Sequence, residues 1–169
     1  MLRYYRSVGS LTKWQKGREM RAIPDEYASA YLKDIKQGTG LPSLWLAESE
    51  CDLEKIALGI LLRKGNLDNI RLVGFDSNCF STVGIQVKQK DDLEFPVHTV
   101  CHLHHELSTS EDEKLKSAIE IFFRGEGGFK EFFKSNLKDT NMRLISAKHI
   151  GEVTDAYKGK AQEWGRISS

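Results

Sequence analysis

One stretch of the sequence leaves little freedom in how it folds. Ser49-Glu50-Cys51-Asp52 has the residues of a capping box, and Leu53, Ile56, Ala57, Ile60 and Leu61 follow at the spacing that lines one face of a helix. Lys64 and Gly65 supply the basic last turn and the glycine that end such a helix. The apolar run Leu44-Trp45-Leu46-Ala47 before it suits a buried strand, and Ile70 to Phe75 after it suits another. Strand, helix and strand in succession commit the centre of the chain to layers of α and β structure.

The flanking segments extend that pattern. Residues 2 to 8, aromatic and β-prone, predict a first strand, and a polar, basic segment runs on to Ala22. Pro24, Asp25 and Glu26 predict the first turn of a helix that carries Tyr27, Tyr31 and Ile35 on one face and stops at Gly38 and Gly40. Val83, Ile85 and Val87 alternate with polar residues and predict a half-buried strand; Phe95 to Leu107 alternates too and predicts a long, edge-capable one. Ser110-Glu111-Asp112-Glu113 reads as a second capping box, opening a helix over 110–123 with the stripe Leu115, Ala118, Ile119, Phe122 and Phe123. Beyond Gly125, Gly127 and Gly128, a helix through Phe129, Phe132, Phe133 and Leu137, a strand at 142–146 and a last helix through Ile150, Val153 and Tyr157 complete the expectation. The fold class is α/β (α+β): a mixed sheet of about five or six strands packed by four or five helices, with residues 1–169 forming one globular domain.

Composition narrows the function classes. A chain of 169 residues is long enough to bury one substantial core, and 40% hydrophobic with 29% charged residues is ordinary for a globular protein. A net charge of +1 supplies no global field toward nucleic acid or an anionic membrane, so any charge argument has to be local. No run nears the roughly 18 apolar residues of a membrane span, and Met1 to Arg21 is studded with charge where a secretory leader is apolar, so the expected location is cytoplasmic. Cys51, Cys79 and Cys101 lack paired C-x-x-C spacing and read as buried thiols.

Two clusters carry chemistry. His98, Cys101, His102, His104, His105 and Glu106 crowd nine positions. On a strand, His98, His102 and His104 share a face, and three imidazoles can hold zinc or another divalent metal with a position left for activated water, the basis of a metal-dependent hydrolase or nuclease. The same residues also suit the solvated side of an amphipathic strand, on which His98 and His102 stand about 13 Å apart. The second cluster is the basic start: Arg3, Arg6, Lys16, Arg18 and Arg21, with Trp14 among them. Cations that pair phosphates and rings that stack on bases suit nucleic acid, and the same charges suit an acidic protein partner.

Arg6 on the first strand, together with Leu41-Pro-Ser-Leu-Trp-Leu-Ala-Glu-Ser49 entering a helix, resembles ADP-ribosyltransferase-like toxins. The resemblance covers about a third of the chain. It implies an NAD-consuming enzyme with the dinucleotide flanked by these two segments, but a paired-acid motif on a late strand is missing, and Glu152 is a poor substitute. The leading expectation is therefore a small protein-binding module acting by direct contact with a protein partner, in the manner of an immunity or antitoxin protein. The metal enzyme and the NAD enzyme are the alternatives.

Overall fold

The computed structural model describes residues 3–36, 40–65, 68–146 and 150–166. Six strands, β1 (Arg3–Ser7), β2 (Ser43–Ala47), β3 (Ile70–Asp76), β4 (Val87–Gln89), β5 (His104–Leu107) and β6 (Gly128–Phe132), form one sheet in the order β4-β5-β2-β1-β3-β6. Every neighbouring pair is antiparallel. The helices are α1 (Leu11–Met20), α2 (Ala28–Ile35), α3 (Glu50–Lys64), α4 (Asn78–Ser81), α5 (Asp112–Arg124), α6 (Lys134–Ile145) and α7 (Asp155–Arg166). The class is α+β, as expected from the sequence.

Because side chains alternate across a strand, each strand at the centre of the sheet feeds two cores. Tyr5, Trp45, Ala47, Ile70 and Leu72 pack under α3, α6 and α7. Leu44, Val73, Phe75 and Leu107 pack under α1, α2, α4 and α5. β2 and β3 read as largely apolar runs because both of their faces are covered.

The two helices defined best by sequence are present. In α3, Ser49 Oγ accepts from the Asp52 N–H at 3.1 Å while Asp52 Oδ2 accepts from the Ser49 N–H at 3.0 Å, and Gly65 closes the helix with φ of 79°. In α5 the whole stripe of Leu115, Ala118, Ile119, Phe122 and Phe123 is buried. Its start differs from expectation: Glu111 is the N-cap and makes no side-chain capping bond, and Thr109 Oγ1 accepts from the Glu111 N–H instead.

Other segments depart from the sequence reading, each for a local reason. The basic segment is the helix α1, which buries only Trp14 and Gly17 and so shows little apolar periodicity. Pro24 caps a short 3-10 turn at Asp25–Tyr27 that leads into α2; Gly38 lies outside the described residues. Val83 to Ile85 is not a strand, since Gly84 turns with φ of 70° and the Val83 and Ile85 N–H groups both donate to the Phe80 carbonyl. The long strand over 95–107 is a 3-10 helix at His98–Leu103 followed by β5. Val97, Val100 and Leu103 are buried three residues apart, the 3-10 repeat, which an alternating reading passes over. Phe129 and Phe132 belong to β6, not to a helix; residues 142–145 end α6, not a strand; and α7 starts at Asp155 after a 3-10 turn at Ile150–Glu152.

Candidate functional site

The structure separates the histidines. His98 and His102 are exposed on the 3-10 helix, where four residues at three per turn put them about 120° apart around the axis. His104 and His105 are buried on opposite faces of the sheet. His104 lies against Trp45 with ring centroids 4.9 Å apart, while His105 meets Tyr4 edge-on at 5.3 Å. Each ring uses Nδ1 on a backbone carbonyl, Lys90 O at 2.7 Å for His104 and Leu103 O at 2.9 Å for His105. Among the described residues no three His, Cys, Asp or Glu side chains are placed to hold a metal ion together.

The basic start is likewise dispersed into structural roles. Trp14 is wholly buried and donates Nε1–H to Asp34 Oδ2 at 2.9 Å, so it has no face for a base. Arg3 pairs with Asp76 at 3.1 Å and donates to the Glu126 carbonyl. Arg18 donates to the Gly125 and Gly127 carbonyls and lies over Phe122 and Phe129. Lys16 pairs with Glu26 at 3.1 Å over the Tyr27 ring, and Arg21 ends α1 in the left-handed conformation. Arg6 is 6% exposed and turns away from the rest, into a cleft.

That cleft, of about 150 Å³, opens where β1 ends, β2 begins and α3 runs out, and it is lined by Arg6, Ser7, Ser43, Trp45, Arg63, Lys64, Asp92, Phe95 and His104 among others. The register builds it. Ser7 and Ser43 each lie two residues beyond the paired Tyr5 and Trp45, past the end of that pairing, and both line the cleft. Trp45 in turn pairs with His104, which brings that ring into the wall. Trp45 and Phe95 pack with centroids 4.1 Å apart, and the guanidinium of Arg63 lies 5.2 Å over Phe95. Asp92 holds Arg63 through two bonds of 2.7 and 3.0 Å, which raise the Arg63 pKa.

Charge in this cleft is not balanced. Arg6 donates to the Asp34 carbonyl (3.0 Å), the Ser43 carbonyl (2.7 Å) and Ser43 Oγ (2.8 Å); burial brings its pKa down to about 10, against the opposing pull of the Asp34 carboxylate. Lys64 is an exposed residue, and its ammonium donates to Ser7 Oγ at 3.1 Å. Desolvation, then the charge of Arg6, lowers the Lys64 pKa, and Asp34 only partly offsets them. Among the described residues no carboxylate comes within ion-pair distance of Lys64, and the Asp34 oxygens are taken by Gly9 N–H and Trp14 Nε1–H. Three cations thus face two carboxylates.

A second cavity, of about 210 Å³ between α3 and α6, provides a contrast: Lys55 pairs with Glu152 at 2.7 Å and Arg143 with Glu54 at 2.9 Å across it, so its charges are met internally. Glu152 is therefore far from Arg6. Lys55 and Lys64 are nine residues apart on α3, about 13 Å along the axis. Arg6 and the 41–49 segment do meet, at Ser43, and among the described residues no late-strand acid lines the cleft they share.

The sequence reading found Arg6 and His104 but missed Ser7, Ser43, Arg63, Lys64 and Asp92. Arg63 and Lys64 were legible only as the basic end of a helix, and the serines acquire their meaning through the β1–β2 register. No known protein family, curated protein or solved structure matches the chain. No described helix is long and apolar enough to cross a membrane.

Proposed function

We propose that the protein binds a small anion, or the anionic end of a larger molecule, in the cleft between the end of α3 and the start of β2. The observation that carries this reading is the Lys64 ammonium, bonded only to a neutral hydroxyl and set beside the buried Arg6. Two neighbouring cations, one of them buried, disfavour each other's charge, and an entering anion offsets the repulsion. The cleft volume fits an anionic group better than a dinucleotide, since sites for whole small molecules start at about 300 Å³. Of the aromatic residues near the N-terminus, Tyr5 and Trp14 are core residues and are not offered to a protein partner.

Thermal unfolding at constant ionic strength, with chloride replaced stepwise by phosphate or acetate, tests the reading. At ten times Kd a ligand stabilises the folded state by about 1.4 kcal/mol, which for a chain of this size is a rise in Tm of about 3 to 6 °C. The rise is expected in the wild type and is expected to vanish in Lys64→Met. A flat response to both anions in the wild type refutes the reading.

A further inference from the structure

Resting on that anion-binding reading, we infer that the group bound is a phosphoryl group rather than a carboxylate. The number of free donors and the elements that carry them discriminate between the two. The Lys64 ammonium has three N–H bonds and gives one to Ser7 Oγ, so two remain. Ser7 Oγ accepts that bond and Ser43 Oγ accepts one from Arg6, so each hydroxyl keeps its own hydrogen to donate, and neither donates to another group of the protein. Four donors are left, carried by a helix end and by two adjacent strands.

The two hydroxyls stand on adjacent strands, just past the paired stretch that ends at Tyr5 and Trp45, and Lys64 reaches Ser7 from the end of α3. The free donors are thus carried by three separate elements, β1, β2 and α3. A carboxylate offers two oxygens in a single plane, whereas a phosphoryl group offers three strong acceptor oxygens arranged as a pyramid. Its fourth substituent can point out of the cleft, which suits a monoester whose larger part stays outside.

His104 separates phosphate from other tetrahedral oxyanions. Its Nδ1 faces the Lys90 carbonyl, a pure acceptor, and therefore carries the hydrogen. In the neutral ring Nε2 is then an acceptor, and His104 is one of the residues that line the cleft. A phosphate oxygen that carries a proton can donate to it; a sulfate oxygen cannot.

Isothermal titration at pH 7 and constant ionic strength, with inorganic phosphate, methyl phosphate, sulfate and acetate as probes, decides the matter. Phosphate and methyl phosphate are expected to bind about tenfold more tightly than acetate, the ratio that one further bond to a charged group supplies. Ser43→Ala, at a partly exposed position, is expected to weaken phosphate by about tenfold and acetate by less. Acetate binding as tightly as phosphate, or sulfate doing so, overturns the phosphoryl assignment while the anion-binding reading stands. Binding of none of the four overturns both.

Discussion

Asp92 occupies the position of an internal competitor for the anion, and Asp92→Asn tests this with two readouts that move independently. In the protein as it stands, Arg63 is committed to Asp92 through two bonds and contributes no net charge to the cleft. The amide is the same size and keeps one acceptor oxygen, so the backbone bonds at this position, Asp92 N–H to Cys101 O and Phe95 N–H to Asp92 O, remain available. What changes is charge. Three cations then face one carboxylate, and Arg63 is released to the ligand.

The magnitude follows from where the pair sits. Arg63 is 41% exposed and Asp92 18%, so the ion pair itself is worth no more than about 1 kcal/mol of stability. Arg63 also keeps its place over Phe95, a contact of about 0.5 to 1 kcal/mol. Removing a negative charge from beside an anion gains about 1 kcal/mol where water screens it and up to about 4 kcal/mol at an effective dielectric of 20. At the open rim of a cleft the lower figure governs, and it corresponds to about fivefold. Without ligand, the variant should therefore melt no more than about 4 °C lower. In calorimetry it should bind phosphate about fivefold more tightly. An unchanged or weaker affinity, in a variant that still folds, would refute the idea that Asp92 and the ligand compete for one cation.

Three further outcomes are expected. Ser49→Ala removes one half of the α3 capping box and should cost about 1 kcal/mol in urea unfolding, with an unchanged m-value. Thiol labelling of the folded protein at pH 8 should modify the exposed Cys51 first. Cys79 should react only on unfolding, since burial and then the nearby Asp76 push its thiol up to about 11. Lys64 has a folded pKa below its ordinary value of 10.5, so the unfolded chain holds this proton more tightly. Its contribution to stability accordingly improves as pH rises from the folded value to 10.5, and phosphate affinity falls over the same window because the ammonium is lost. Melting and titration of wild type against Lys64→Met between pH 8 and 10.5 check both signs, and a phosphate affinity that holds constant to pH 10.5 would contradict the role of Lys64.

The sequence announced those elements whose signals are local. The α3 cap, its Gly65 stop and the α5 stripe are each set by residues three or four apart, and each took its expected form inside the helix. Elements whose apolar residues fit more than one period were misread: Val97, Val100 and Leu103 satisfied an alternating pattern in part but form a 3-10 face, and Phe129 and Phe132 fit a helix yet pair with β3. In α1, Gly17 gives way to the Phe123 ring, so the contact that anchors the helix leaves no apolar side chain in the sequence to be counted.

The site was hidden for a stricter reason. Its polar groups stand at 6, 7, 43, 63, 64, 92 and 104, and no two of those clusters are joined by any spacing rule. What joins them is tertiary: β1 and β2 bring Ser7 and Ser43 to one end of the sheet, the length of α3 delivers Lys64 to it, and β5 adds His104 beside Trp45. The dense histidine run drew attention because it is contiguous, yet contiguity on a strand guarantees divergence, as His104 and His105 show by facing different cores. Arg6 was singled out for charge, and its meaning comes from its burial beside a second cation. An uncompensated charge is a property of the folded arrangement, and in this chain it is the feature that selects one cleft over a larger neighbour whose charges cancel.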